Sequence, residues 1–324
     1  MRSPRPRSGP ADDIQAKSGP GPGRNLYDEV TRRIIAQLEA GRFPWVQPWT
    51  GAGAPALGLP RNGATGRRYS GINILLLWDA AIENGFPCQG WVTYRQAQAA
   101  GGQVRRGETG TTVVFADRFV PEKEKERAAR EGGEPGAVAF LKRFTVFNLV
   151  QCEGFDGDGL EIETSQASPL ERERQAVPVA EALIAATGAD LRVGGDRAFY
   201  VPSRDFIRVP PQTAFGDQIN YYRTCFHELA HWTGHASRLD RPQSGAFGSK
   251  NYGREELVAE MGSAFVCAAL GIIPTVRHAD YLGAWLETLR EDSRAIFKAA
   301  SGASKAADFL LAFMPDQDVG EGAQ

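Results

Sequence analysis

YYRTCFHELAHWTGHASRLD, residues 221–240, decides how the rest of the chain is read. Within it His227, Glu228 and His231 form H-E-x-x-H. Residues four apart on a helix lie one above the other on the same face, so both imidazoles reach one cation. Glu228, beside the first histidine, is then placed to move a proton on a water activated there. Such a pattern also arises by chance, and a helix can carry two histidines for packing alone. Three features weigh against chance. The chain has four histidines, and three of them, His227, His231 and His235, fall in this stretch. Its flanks are apolar at helical spacing, through Tyr222, Phe226, Leu229 and Ala230. An acidic helix, REELVAEMGSAF (residues 254–265), follows downstream.

A catalytic zinc site has three protein ligands and one open position. His235 lies one turn past His231 but is rotated further from His227, and one straight helix serves a tetrahedral ion poorly with three ligands. The metzincin arrangement is excluded, because Ser237 stands where its third histidine belongs, although Gly234 is in place. Glu256 and Glu260 remain, four apart and on one helix face. This E-x-x-x-E element resembles the gluzincin pattern, which implies that the first acid binds the metal and the second orients a ligand histidine. On that resemblance Glu256 is the third ligand and Glu260 sits behind a ligating ring, with the reverse assignment open. Glu255 points about 100° away and is expected in a salt bridge. One zinc ion (Zn2+) per chain is the expected cofactor, with another divalent metal as the alternative. Tyr252 and His235 are the candidate donors to an oxyanion.

The 324 residues leave room for two domains. A hydrophobic share of 42% and a charged share of 23% are those of a globular chain. No apolar run of about 18 residues occurs, so no membrane span is expected. Residues 1–24 lack the apolar core of a secretory signal and read as a disordered basic tail. Cys88, Cys152, Cys225 and Cys267 are dispersed, as expected of buried thiols in a reducing cytoplasm. The net charge of −2 hides an asymmetry. Through residue 150 there are 21 Lys+Arg against 14 Asp+Glu, and beyond it 16 against 25. A front half at +7 before a back half at −9 suggests that an anionic partner meets the front, although the tail holds +3 of that excess.

Residues 25–41 have the apolar stripe of an amphipathic helix, from Asn25 as cap to Gly41 as stop. Pro44 and Pro48 then break FPWVQPWTG and present Trp45 and Trp49. Residues 74–85 read as a buried helix, and Thr93 as the cap of a short one. TTVVFADRFV (111–120) and AFLKRFTVFNLVQCEG (139–154) read as paired strands around a charged loop of low complexity at 121–136. Residues 156–168 read as a linker. A helix interrupted near Pro178 follows, then a hairpin at 198–210, a lid-length loop at 237–253, and two closing helices. A positive groove with aromatic platforms suits a single nucleic-acid strand. Arg67, Arg68, Arg105, Arg106, Lys142 and Arg143 are the candidates along phosphates. Trp45, Trp49, Tyr69 and Trp91 are those under bases, core packing being the ordinary alternative for a tryptophan.

Taken in order, these motifs resemble the ArdC family of plasmid antirestriction proteins. The front match rests on FPWVQPW, on N-x-x-T-G-x-x-Y-x-G-x-N (Asn62, Thr65, Gly66, Tyr69, Gly71, Asn73), on Trp91 and Thr93, on VRRGE (104–108) and on VFNLVQ (146–151). The back match rests on HELAHWTGHASRLDR and YGREELVAEMGSAF. Together they span about residues 25 to 315. The front also resembles the amino-terminal region of TraC-type primases, without a primase catalytic motif. The resemblance implies a single-stranded-DNA-binding domain joined to a zincin-like metallopeptidase domain, and protection of incoming DNA from restriction enzymes during conjugation. It adds Asn73 to the candidate DNA contacts. A restriction-system protein is the corresponding candidate substrate. The expected fold is α+β in both domains, at 25–155 and 169–316, with a short tail at 317–324. Two rivals fit the same residues: a metal-stabilised DNA-binding protein without turnover, and a general zinc protease whose front half recruits proteins.

Overall fold

A computed structural model of the protein describes residues 26–46, 57–134, 136, 138–154, 169–243, 250–275 and 281–314. The basic tail, Trp49, the linker and most of the lid-length loop's centre (244–249) lie outside the described residues. Helix α1 (Leu26–Glu39) buries Val30, Ile34 and Leu38 along the stripe expected of it. There follow β1 (Arg61–Asn62), α2 (Ile72–Glu83), β2 (Gly90–Val92), α3 (Tyr94–Ala99), β3 (Gln103–Val104), β4 (Thr111–Phe119), α4 (Glu122–Glu131), β5 (Val138–Asn148) and β6 (Cys152–Glu153). Thr93 caps α3 in a reciprocal box with Gln96. The β-branched run of β4 pairs antiparallel with β5 from Thr111↔Val146 to Phe119↔Val138. The main front sheet has the order β1-β2-β5-β4.

The charged stretch expected as a loop contains α4 instead. This helix buries no residue, and Glu122–Lys125 and Glu124–Arg127 pairs at 3.0 and 2.8 Å join successive turns. Local pairing of that kind supports a solvated helix without a core face.

The back half contains α5 (Pro169–Ala186), β7 (Asp190–Val193), β8 (Phe199–Val201), β9 (Phe206–Val209), α6 (Gln218–Trp232), α7 (Lys250–Ala269), α8 (Leu282–Glu291) and α9 (Ala295–Leu311). The expected break near Pro178 is absent, and α5 runs through it. Pro178 sits on the exposed side, where water can satisfy the carbonyl it leaves unbonded. β7, β9 and β8 form a sheet in that order, with β8 antiparallel to β9 and on the edge. Helix α6 is buried on almost every face, including His227 and Glu228. It packs against α7 at Gly262, where a Cβ would lie 3.3 Å from the Ala230 Cβ. That close approach brings the acids of α7 up to the histidines of α6.

The two halves share one core. Trp45 stacks edge-on against Trp285 of α8, with centroids 5.6 Å apart, and both rings are fully buried. Tyr27 of α1 meets Phe297 of α9 at 4.7 Å. Thr31 donates to the Ser293 carbonyl at 2.7 Å. Gly71, whose φ of 61° favours glycine, donates its N–H to Ser304 Oγ at 2.7 Å. All four cysteines are free and buried. Among the described residues no helix is long and apolar enough to cross a membrane.

Candidate metal centre and nucleic-acid cleft

His227, His231 and Glu256 each offer one donor atom, and these atoms all lie within 4.8 Å of one another. His227 Nε2 is 3.4 Å from Glu256 Oε2, and His231 Nε2 is 3.4 Å from Glu256 Oε1. Donors bound tetrahedrally at about 2.0–2.1 Å would sit roughly 3.3–3.4 Å apart, so each ring stands from a Glu256 oxygen at the spacing a shared cation would set. Glu256 Oε2 is buried and makes no hydrogen bond, as suits an oxygen whose lone pair faces a cation rather than a donor. Burial alone would raise the Glu256 pKa, but the two histidines outweigh it and hold the carboxyl well below the usual range. Burial likewise lowers His231, yet Glu255 and Glu256 lift it to about 10. Both shifts reflect the same pairing of carboxylates with the two rings.

Two acids stand behind the rings, one more than expected. Glu260 Oε1 lies 3.9 Å from His227 Nδ1, on the side away from Glu256. Glu255 Oε1 lies 3.5 Å from His231 Nδ1. Glu255 does form the expected salt bridge, with Arg241 at 2.7 Å. That bridge fixes it behind the second imidazole, a placement that α7's spacing alone does not reveal. Arg241 also donates to the Ala230 carbonyl at 2.6 Å and to Thr233 Oγ1 at 2.8 Å, so the acid is anchored to the backbone of α6.

A cleft of about 270 Å3 opens over the cluster, lined by Phe199, Tyr200 and Pro202 of the hairpin, and by His227, Glu228 and Tyr252 among others. Edge strand β8 therefore forms one wall of it. The hairpin is tied down by Arg238, which lies over Trp232 at 3.9 Å and donates to Asp205. Asp205 in turn accepts from Tyr200 at 2.8 Å. Tyr252, 3.4 Å from the Tyr281 hydroxyl, is at the cleft, and burial pushes its pKa up so that it stays protonated. His235 is not among the lining residues; Ser237 Oγ holds its Nδ1 at 2.8 Å.

On the front half a second cleft, of about 760 Å3, is lined by Arg67, Arg68, Tyr69, Lys142 and the paired strands β4 and β5. Asn73 lines it too, but its side chain is committed to both backbone groups of Val114 at 2.8 Å. Trp45 and Trp91 do not stack on a ligand: both rings are 0% exposed, Trp45 against Trp285 and Trp91 against Phe86. Arg143 is on the opposite face of β5 from Lys142 and pairs with Glu29 at 2.6 Å. Arg105 pairs with Glu108, and neither Arg105 nor Arg106 lines this cleft. Among the aromatic rings that line it, the exposed ones are Phe115 and Phe144, 47% and 44% exposed and 5.2 Å apart edge-to-face. Alternation along the strands puts them on one face with Lys142 but also with buried Val113, so the sequence alone did not mark them as exposed.

Fold and site together define a two-domain α+β chain with a zincin-like back half. The family model for the N-terminal domain of anti-restriction factor ArdC matches residues 24–147, and that for a zincin-like metallopeptidase matches residues 178–302. The chain is similar to the crystal structure of antirestriction ArdC protein from R388 plasmid in its metal-free form. The two are 41% identical with a TM-score of 0.72, over 89% of this chain and 97% of that one. Its Mn(II)-bound form gives 40% and 0.71, over 90% and 99%. An uncharacterized protein, y4eC, of Sinorhizobium fredii is 40% identical over 90% of this chain and 93% of its own length. The DNA primase TraC of Escherichia coli is 42% identical over 90% of this chain, which spans only 27% of that primase. The chain belongs to the ArdC antirestriction family.

Proposed function

We propose that the back half is a zinc-dependent peptidase site and that the front half binds single-stranded DNA, so that the chain acts on incoming or mobile-element DNA. The observation that carries the hydrolytic reading is the convergence of His227, His231 and Glu256 beside Glu228, under an open strand edge. These three residues would hold the ion, and two imidazoles with one carboxylate favour zinc while admitting manganese. When bound, such an ion supplies Lewis acidity toward water and toward a carbonyl oxygen. A Glu228 carboxylate oxygen accepts the proton of the attacking water and returns it to the leaving amine nitrogen. The Tyr252 hydroxyl donates to the oxyanion. The β8 edge offers its backbone to an extended peptide, for which a restriction-system protein is the proposed source. Glu255 and Glu260 keep the imidazoles in register.

Glu228→Gln is the test. It should bind metal like the parent and lose peptidase turnover; turnover that survives removes Glu228 as the base. If neither form ever cuts a peptide while chelation lowers the melting temperature, the metal-stabilised DNA-binding reading takes over. A front half with no affinity for single strands at about 50 mM salt leaves the general protease reading.

A further inference from the structure

The front cleft does not end at the front half. Phe297 and Ser301 of α9 form part of its wall. A neighbouring cleft of about 480 Å3 shares those two residues and Tyr27 with it, and is lined further by Arg241, Arg294, Lys298 and Lys305. The first cleft carries Arg67, Arg68 and Lys142. Neither lining contains an Asp or Glu, although the chain has a net charge of −2 and its back half is the acidic one. Arg294, Lys298, Ser301 and Lys305 recur every three or four residues, so they stand on one face of α9 and its cap, and all four are exposed. Some of this charge is already engaged. Arg241 holds Glu255, Lys298 reaches Asp292 at 3.0 Å, and Arg68 acts on Asp308. Lys305 and Arg67 form no ion pair among the described residues, and Arg294 lies 5.1 Å over the Tyr27 ring.

We propose that one DNA strand runs along both clefts, so that α9 of the peptidase-like half is part of the nucleic-acid site. This rests on the single-strand reading above and extends it across the seam. On the front side, Phe115 and Phe144 share a face of the β4–β5 pair, with Lys142 directly opposite Phe115 in the register. Exposed rings beside a cation suit an unpaired base and its phosphate. A duplex, whose bases already stack on each other, has no base face to offer them. The backbone then passes Tyr27 and Phe297 onto the basic face of α9, where Arg294 and Lys305 meet phosphates. A single-stranded polyanion is chosen because the track is both cationic and aromatic, whereas an acidic protein would use only the charge.

The test titrates the full-length, metal-loaded chain with fluorescent oligothymidylate across a salt series. Phe115→Ala should weaken binding roughly 5- to 150-fold, the effect of losing one stacked base. The Arg294→Ala, Lys305→Ala double variant removes two phosphate contacts and should flatten the log–log salt slope by about 1.4. All three side chains are exposed, and unchanged metal affinity and melting temperature verify the fold. If the parent binds no single strand, the functional reading falls and this path with it. If the parent binds and the double variant keeps the parental slope, DNA binding stands and the crossing onto α9 is overturned. If Phe115→Ala is silent and polyglutamate displaces DNA at equal charge, the clefts are a general anion surface and the stacking is overturned.

Discussion

Replacing Glu255 with Gln separates a carboxylate that only bridges Arg241 from one that also positions a metal-binding ring. The carboxylate faces His231 Nδ1 at 3.5 Å, and its other contacts leave it little freedom to move. Arg241 donates Nη2 to Oε1 at 2.7 Å and Nε to Oε2 at 3.1 Å, while its guanidinium is fixed on Ala230 and Thr233. The ring must therefore adapt to the acid. Loss of such a partner behind a ligating histidine weakens metal binding by about 10- to 100-fold, or about 1.4–2.7 kcal/mol. Glu260, at 3.9 Å from His227 Nδ1, is beyond hydrogen-bond reach of that nitrogen, so Glu260→Gln should cost less. The assay is competition for metal against a chromophoric chelator. Glu255→Gln also leaves Arg241 without its anion and should lower the melting temperature of the metal-free chain. Adding Arg241→Met removes that unpaired charge, and should restore the melting temperature in part while metal affinity stays low. Parental affinity in Glu255→Gln, with a loss in Glu260→Gln instead, would refute the reasoning.

Other perturbations address other links. Gly262→Val places carbon where 3.3 Å separates a Cβ from Ala230, so it should cost about 1–3 kcal/mol in denaturant melts and loosen the metal site by pushing α7 off α6. Trp45→Ala should destabilise the fold by about 3–5 kcal/mol and, at a temperature where the variant stays folded, leave single-strand affinity as it was. The Arg238 bond, assisted by Tyr200, holds the Asp205 carboxyl below the usual range, so its contribution is present above pH ~4 and is lost as pH falls through the depressed value. Proteolysis of the hairpin on acidification should follow that loss, and Asp205→Asn should abolish the dependence. Chelation should lower the melting temperature of a metal-loaded sample, and added metal should restore it in proportion to the logarithm of its concentration.

The candidate metal donors were legible in two ways: His227 and His231 need only one turn of α6, because helical spacing is local, while Glu256 followed from the gluzincin resemblance of its E-x-x-x-E turn. Glu255 was not, since its place behind His231 depends on how α7 is rotated against α6 and on Arg241, which comes from the loop between them. The tryptophans show a different limit. A large amphipathic ring suits a core as well as a base, and nothing local to FPWVQPW says that Trp45 meets Trp285, which lies far along the chain. Phe115 and Phe144 are visible only once the register is known, because exposure on a strand is decided by which face the neighbouring elements cover. Pro178 and α4 went the other way. A local rule predicted a break and a loop, and a solvent-facing carbonyl and intrahelical ion pairs made both helices tolerable.

The seam between the halves bears on how the chain can be dissected. Halves joined by a linker are ordinarily free to move unless the face between them is large and apolar. Here Trp45, Tyr27 and Ile72 of the front are in or against the core that Trp285, Phe297 and Ile296 of the back complete. Cutting at the linker would expose Trp285 on one fragment and Trp45 on the other, so the behaviour of isolated halves would report unfolding before it reported function. The match to the TraC primase agrees with this, because both halves occur there together within about a quarter of a much longer protein. A chain whose back half supplies part of the wall of the front cleft, and whose front half supplies part of the core under α8, is held together by the aromatic contacts across that seam.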